Sequence, residues 1–289
     1  MTLPETFEKA RHSIVALGSR IVPGPQGQTP LFPLIIGTGF VVDARGVVAT
    51  NKHVAEALQK LPVNSRASTS TAFAMFTTAT RLAPDGLLKL GVVFVDVIDY
   101  ALPGKVEVSA GSYYGAPIPD LAFLHIRACD LSALPLASEP HALQIGMPIA
   151  TAGFPLGKDP LVAYNKVSQL TPLLRRGIVS SLLPGPCPQP HGFTIDVMIQ
   201  GGASGSPVFL VESPTVVGML HASFDHTNIS YAVPSAMLAQ ALEEALGVYK
   251  WDFSASPTFK TYLDAGEGQP FEWAVVNRAD LQPGRRSKE

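Results

Sequence analysis

The sequence has few of the features that mark small secreted proteins and nucleic-acid binders. Only two cysteines, Cys129 and Cys187, occur in 289 residues, so a scaffold built on many disulfides is excluded. Their positions leave open whether they pair, and we expect free thiols. Only 15% of the residues are charged and the formal net charge is −2. This balance gives no reason to expect a nucleic-acid or anionic-membrane partner.

Long hydrophobic runs are also lacking. No apolar stretch approaches the roughly 20 residues that cross a bilayer. The amino terminus, residues 1–12, carries acids and no long apolar core, which is not typical of a secretory leader. We therefore expect no membrane span and a cytoplasmic location.

The chain consists largely of short strand-like runs between glycines and prolines, of which it has 25 and 26. Helical periodicity is scarce, and this pattern predicts an all-β barrel or sandwich. Helices are predicted over 5–12 and over 234–246, the latter ending at Gly247. Residues 65–80, rich in Ser, Thr and Ala, are predicted to form an exposed strand and loop. The predicted strands lie near 13–18, 35–43, 46–50, 71–79, 89–99, 104–109, 121–127, 147–153, 164–170, 175–182, 192–199, 206–211, 215–223 and 228–233.

Residues 201–207, Gly-Gly-Ala-Ser-Gly-Ser-Pro, form the most informative motif. A serine hydroxyl becomes nucleophilic only when a base takes its proton and nearby N–H groups stabilise the oxyanion that forms. Glycine permits the backbone angles that turn such groups inward. Ser204 is therefore a candidate nucleophile, and the amides of Gly202 and Ser204 form a candidate oxyanion hole.

Two further motifs supply a histidine and an aspartate at strand edges. His53 follows the run 47–50, and Asp120 immediately precedes the apolar run 121–126. An imidazole serves as a general base because its pKa lies near neutrality, and a buried carboxylate fixes its tautomer. We therefore predict a catalytic set of His53, Asp120 and Ser204. Asp96 and Asp99 are alternatives to Asp120.

Four motifs in this order resemble the trypsin-like serine proteases, most closely the HtrA/Deg type. They are Gly-x-Gly-Phe-Val-Val at 37–42, Thr-Asn-x-His-Val at 50–54, Asp-Leu-Ala-x-Leu at 120–124 and Gly-x-Ser-Gly-x-Pro at 202–207. The resemblance spans residues 13–247 and implies two six-stranded antiparallel β-barrels of the chymotrypsin-like fold. It also implies His53 as general base, Asp120 as its orienting partner, Ser204 as nucleophile and Gly202 as oxyanion-hole donor. The implied substrate is a polypeptide and no cofactor is required, while homo-oligomerisation stays open.

On this basis we divide the chain into three parts. Residues 1–130 would hold an amino-terminal helix, a strand and the first barrel, with the histidine and the aspartate. Residues 131–247 would hold a linker, the second barrel with the serine, and a terminal helix. Residues 248–289 would form a tail too short for the PDZ domain that usually follows an HtrA protease. We expect its aromatic first half to pack on the body of the protein.

The chain departs from the family pattern at three points. Ala203 stands where relatives carry asparagine or aspartate, so activation by a newly cut amino terminus is not expected. Ser206 replaces the second glycine of the motif, as in glutamyl endopeptidases. His53 and Asp120 are also unusually far apart in sequence, so an extra segment within 60–115 is expected to loop out.

The candidate substrate pocket rests on weaker signals. Glutamyl endopeptidases bind acidic side chains with a histidine one position earlier than His221. Because one step along a strand turns a side chain to the opposite face, we expect the His221 ring to point elsewhere. Met198, six residues before Ser204, is expected at the base of the pocket. A methionine there favours small apolar substrate side chains over basic ones. The candidate pocket residues are Met198, His221, Ala222 and Ser223.

We predict no metal site. The residues that could contribute ligands match no zinc spacing; they are Cys187, His221, Asp225 and His226.

Two other functions were weighed against proteolysis. The first is a catalytically silent or latent trypsin-like module that acts through protein–protein interaction. A silent relative usually lacks a catalytic residue, whereas His53, Asp120 and Ser204 are all present. The second, an esterase of the α/β-hydrolase type, is disfavoured because its order would be serine, acid, histidine.

Overall fold

The computed structural model describes residues 1–19, 34–61, 72–82, 88–103, 119–137, 143–155, 171–186, 190–223 and 227–268. The predicted strands 104–109 and 164–170 lie outside these ranges. So do Cys187, Asp225 and His226. Cys129 carries a free thiol.

In the described part of the chain, twelve strands form two closed six-stranded antiparallel barrels, so the predicted chymotrypsin-like fold is confirmed. The first barrel closes in the order β1-β2-β3-β6-β5-β4 and the second in the order β10-β11-β12-β9-β8-β7. The strands of the first barrel are β1 (Ile14–Ser19), β2 (Leu34–Asp43), β3 (Val47–Thr50), β4 (Ala72–Leu82), β5 (Leu88–Ala101) and β6 (Ala122–Ile126). Those of the second are β7 (Pro148–Gly153), β8 (Leu173–Leu183), β9 (Gly192–Ile195), β10 (Pro207–Leu210), β11 (Val216–Ser223) and β12 (Ser230–Pro234).

Four α-helices accompany the barrels in the described ranges: α1 (Leu3–Ala10), α2 (Lys52–Gln59), α3 (Ser235–Val248) and α4 (Phe259–Gly268). Helix α3 packs on β11 and β12, and α4 packs on β5. Helix α3 continues through Gly247, where we predicted its end, because the amide of Tyr249 still bonds to Ala245 O at 2.8 Å. Among the described residues, no helix is long and apolar enough to cross a bilayer.

Part of the segment between the histidine and aspartate motifs belongs to the first barrel. We predicted strands in this segment and expected extra chain within 60–115 to loop out; its described parts include β4 and β5, and the rest, 62–71, 83–87 and 104–115, lies outside the described residues. These two strands, of 11 and 14 residues, are hydrogen-bonded to each other and lie between β1 and β6. Part of the long sequence separation is therefore taken up by these two strands.

Strand β4 corrects a second expectation. We predicted an exposed strand for residues 65–80, but every residue from 72 to 76 is at most 1% exposed. Phe73 and Met75 join one core cluster, whereas Ala72, Ala74 and Phe76 join another. Residues 72–76 carry no charged side chain, which fits their burial on both faces of the strand.

One of these clusters joins the two barrels. Alternate residues of β1, such as Ile14 and Ala16, pack in a cluster that also contains Ala150 and Phe209 of the second barrel. Their neighbours Val15 and Leu17 pack only with residues of the first barrel and the elements around it. Since successive side chains of a strand point to opposite faces, β1 is buried on both sides and fixes the first barrel against the second.

The segment after α3 returns to the first barrel. Trp251 is 9% exposed, and its Nε1 donates to Asp99 Oδ2 at 2.9 Å. Its ring stacks on that of His125, with 5.4 Å between the ring centroids. The Phe253 ring lies beside that of His125, with 4.9 Å between the ring centroids, and under the Arg45 guanidinium. The carboxy-terminal segment thus connects a helix on the second barrel to the surface of the first.

We predict that Trp251→Ala lowers the free energy of unfolding by about 3 kcal/mol, because it removes a buried aromatic ring. Trp251→Phe keeps most of the packing but deprives Asp99 of a hydrogen bond, so we expect a loss of about 1 kcal/mol. Urea denaturation measures both values. The exposed neighbour Lys250 supplies the control, since Lys250→Ala should stay within about 0.5 kcal/mol of wild type. Equal stability of Trp251→Ala and wild type would contradict this account of the segment.

Candidate active site

The histidine motif folds into the start of a helix. Strand β3 ends at Thr50, Asn51 is extended at φ −79° and ψ 152°, and α2 begins at Lys52. His53 therefore lies in the first turn of α2. The Asn51 side chain does not cap the helix but donates from Nδ2 to Asp120 O at 2.8 Å. This bond ties the start of α2 to Asp120, two residues before β6.

Asp120 contacts the histidine through both of its carboxylate oxygens. Pairing of β3 with β6, with Thr50 opposite Ala122, brings Asp120 beside His53. Its Oδ1 accepts the backbone N–H of His53 at 3.1 Å, and its Oδ2 lies 2.7 Å from His53 Nδ1. Because an ionised carboxylate only accepts hydrogen bonds, Nδ1 carries the proton and Nε2 is left as the basic nitrogen of the ring.

The surroundings of Asp120 keep it ionised. Burial raises the pKa of its carboxyl, but the ring hydrogen bond, the charge and the backbone N–H of His53, together with the charge of His221, lower it by more. The pKa of Asp120 is therefore below its usual value of 3.8. The His53 side chain is 50% exposed, so its ring is paired to the carboxylate and still accessible.

The two alternative aspartates make other contacts. Asp99 accepts the indole N–H of Trp251 and pairs across the sheet with His125. Asp96 pairs with Phe73 of β4. Among the three aspartates, Asp120 is the one that is hydrogen-bonded to His53.

Ser204 lies in the loop between β9 and β10. Strand β9 ends at Ile195, four residues earlier than predicted, so the loop is longer than the sequence indicated. The amide of Ala203 donates to Gln200 O at 3.0 Å, and Gly202 has φ +93°. A hydrogen-bonded turn with positive φ at its third residue is a type II turn, which favours glycine there.

Two amides of this loop have no acceptor. Within the described part of the chain, neither the N–H of Gly202 nor that of Ser204 donates a hydrogen bond. Ala203 O, by contrast, accepts from both the amide and the hydroxyl of Ser206, at 3.0 and 2.6 Å. Because C=O and N–H point in opposite directions across a trans peptide, this anchoring of Ala203 O also orients the N–H of Ser204. The loop therefore presents two free donors beside the serine.

The serine loop and the histidine helix meet at Gly37. A Cβ on Gly37 would lie 2.7 Å from the side chain of Val54 and 3.3 Å from Ser204 O. The residue after His53 and the backbone of Ser204 thus lie against the same point of β2. The backbone of the serine loop in the second barrel therefore lies close to the first turn of α2, which carries His53.

His221 lies at a β-bulge. Leu220 pairs with Ala232 and Ala222 pairs with Tyr231, so His221 is an extra residue in β11. A bulge re-aims the side chain that it carries, which the alternation argument did not foresee. Burial lowers the pKa of His221 below its usual value of 6.5, while the charge of Asp120 raises it and that of His53 lowers it. The ring therefore lies within electrostatic reach of both members of the pair.

The other candidate pocket residues lie at the surface. Met198 is 40% exposed, and Ala222 and Ser223 are exposed at the end of β11. The guanidinium of Arg175 donates to Met198 O. A pocket lies beside the serine loop, and its lining does not include the four candidate residues. It is lined by Thr151, Ala152, Gly153, Pro155, Leu173, Arg175, Ile199, Ala203, Ser206 and Leu220.

Sequence reasoning missed two residues that shape this site, Thr38 and Asn51. Both lie inside quoted motifs, and both are fully buried. A polar residue within a largely apolar strand, as Thr38 is in β2, must find hydrogen-bond partners. That signal was available from the sequence.

Residues 37–219 match the trypsin-like peptidase domain family. This match covers more than half of the chain, and the chain belongs to this family. The predicted resemblance to trypsin-like proteases of the HtrA/Deg type is confirmed.

Two solved structures resemble the fold. Deg5 is 20% identical, with 85% of this chain and 94% of that chain covered, at a TM-score of 0.49. The HtrA-type protease AlgW, solved with a decapeptide, is 16% identical, with 86% and 68% covered, at a TM-score of 0.55. At these identities the likeness concerns the fold. No curated protein matches the chain.

The bulge generates a prediction about the titration of His221. Asp120→Asn removes the charge that raises the pKa of His221, so that pKa should fall further below 6.5. His53→Gln removes a charge that lowers it, so the pKa should rise. NMR titration of the imidazole protons measures both shifts. His12 follows α1, and the charges that act on it are those of Arg11 and Glu8, so its titration should not change in either variant. An unchanged pKa of His221 in Asp120→Asn would place the ring away from the pair.

Proposed function

We propose that this protein is a serine endopeptidase that hydrolyses peptide bonds through Ser204, His53 and Asp120. The observation that carries the proposal is the 2.7 Å contact between His53 Nδ1 and Asp120 Oδ2, in a chain that belongs to the trypsin-like peptidase family. This contact leaves Nε2 as a base, and the amides of Gly202 and Ser204 in the serine loop have no acceptor among the described residues.

The reaction follows from the roles of these groups. His53 Nε2 takes the proton of Ser204 Oγ as the oxygen attacks the carbonyl carbon of the substrate. The carbonyl oxygen becomes an oxyanion and accepts hydrogen bonds from the amides of Gly202 and Ser204. Asp120 stabilises the imidazolium. His53 then protonates the leaving amine, and water, activated by the same ring, hydrolyses the acyl-enzyme and regenerates the serine.

The state of the serine loop supports a competent site. An oxyanion hole requires donors that are oriented before the charge develops, since reorientation during the reaction costs free energy. Here the turn that ends at Ala203 is already closed, and the carbonyl of Ala203 is held by Ser206. The free amides are thus part of an ordered loop.

We predict that Ser204→Ala abolishes covalent labelling by a fluorophosphonate probe and lowers casein cleavage by about 10⁵- to 10⁶-fold. Loss of the nucleophile removes the acyl-enzyme route, whereas the fold should be unaffected. Labelling is measured by mass spectrometry of the intact protein. Ser254→Ala, which changes an exposed serine of the carboxy-terminal segment, is the matched control and should label like wild type.

Two results would count against the proposal. Undiminished labelling of Ser204→Ala would place the nucleophile elsewhere. A folded wild-type protein that neither labels nor cleaves casein would favour the silent, protein-binding alternative.

A further inference from the structure

Thr38 connects the two barrels at the serine loop. It lies in β2 of the first barrel and is 0% exposed. Its Oγ1 donates to Gly202 O at 2.8 Å and accepts the amide of Phe154 at 2.9 Å. Its backbone N–H donates to Ser204 O at 2.9 Å, and its carbonyl accepts the Thr50 hydroxyl at 2.8 Å. The first three of these bonds reach the second barrel.

The direction of the two side-chain bonds is fixed by chemistry. The N–H of Phe154 can only donate, so Oγ1 is the acceptor there. The carbonyl of Gly202 can only accept, so the single hydroxyl proton of Thr38 points at Gly202 O. A serine could make both bonds, whereas a valine of similar shape could make neither.

These bonds bear directly on the two free amides. The peptide between Gly202 and Ala203 is held on both sides, its carbonyl by Thr38 and its N–H by Gln200 O. The next free amide belongs to Ser204, whose own carbonyl is held by the N–H of Thr38. Each residue that offers a free N–H therefore has its carbonyl bonded to Thr38.

We infer that Thr38 is the positioning residue of the oxyanion hole: its hydroxyl and its N–H hold the Gly202 and Ser204 carbonyls so that their amides face the reacting carbonyl. This inference rests on the proposed function. Thr38 does not touch the substrate and acts through the backbone of the serine loop.

Close packing leaves little freedom for the loop to move without Thr38. A Cβ on Gly205 would overlap Thr38 O and lie 2.6 Å from Thr50 Oγ1, and Gly205 has φ +86°. A Cβ on Gly153 would lie 2.9 Å from Thr38 Oγ1 and would overlap the hydroxyl of Ser206. The backbones of the serine loop, β7 and β2 thus pack closely around the hydroxyl of Thr38.

Thr38→Val and Thr38→Ser test the inference on the full-length protein. Thr38→Val should lower kcat by about 10- to 100-fold, less than the 10²- to 10³-fold that follows loss of an oxyanion donor, because the donors are displaced and not removed. KM should change by less than about threefold, since ground-state binding is unaffected. Thr38→Ser keeps the hydroxyl and should retain kcat within about threefold of wild type.

A matched control and a second readout separate positioning from general destabilisation. Thr77 of β4 is buried, and its hydroxyl has no hydrogen-bond partner among the described residues, so Thr77→Val should keep the kcat of wild type. Affinity for a peptide boronic acid, which forms a tetrahedral adduct, should fall with kcat/KM in Thr38→Val. Hydrogen exchange at the Ala203 amide, measured by NMR, should accelerate about tenfold in Thr38→Val as the turn loosens.

The outcomes distinguish failure of this inference from failure of the proposed function. If Thr38→Val keeps the kcat of wild type while Ser204 labels, the positioning role is wrong and the proposed function stands. If wild type neither labels nor cleaves, the proposed function fails, and hydrogen exchange at the Ala203 amide then tests the positioning role of Thr38 by itself. Exchange at the wild-type rate in Thr38→Val then overturns the inference, and faster exchange in Thr38→Val but not Thr38→Ser supports it.

Discussion

The register between β3 and β6 is the constraint on which the rest of the site depends. Thr50 pairs with Ala122, and this alignment brings Asp120 to His53 although 67 residues separate them in the chain. A slip of one residue would turn every side chain of β6 to the opposite face and would bring Phe123 and His125 into the space that Ala122, Leu124 and Ile126 now fill, although both faces are buried. The burial of Ala122, Leu124 and Ile126 therefore specifies the position of the carboxylate more firmly than any local feature of Asp120.

The two barrels contribute different parts of the proposed site, so their relative position is as important as either fold. His53 and Asp120 belong to the first barrel, and the serine loop belongs to the second. A continuous apolar cluster spans the two, and the segment after α3 crosses from one to the other through Trp251. Apolar contacts are not directional, so these elements hold the barrels together without fixing the loop. Directional control comes from hydrogen bonds such as those of Thr38.

Strand positions and the family resemblance could be predicted from the sequence because strand-like runs between glycines and prolines depend on local patterning. The exposure of β4 was predicted wrongly, since its small and polar residues hide the burial of both faces. The bulge at His221 could not be predicted, because it depends on the register between β11 and β12, a long-range property. Helix α4 escaped prediction for a similar reason: its Phe259, Tyr262 and Leu263 pack against the first barrel, a surface that exists only in the folded protein.

The substitutions in the serine motif fit the way in which the loop is held. Ala203 has no charged side chain with which to anchor the loop, and its side chain is buried at 5% exposure. Its backbone supplies the anchor instead, because Ala203 O accepts both bonds from Ser206 and its N–H closes the turn on Gln200. A hydroxyl at position 206 requires space, which the absence of a Cβ at Gly153 provides. Neutral, buried hydrogen bonds are insensitive to salt and do not titrate near neutral pH. The loop is therefore held by bonds that do not depend on the charge of any of its side chains.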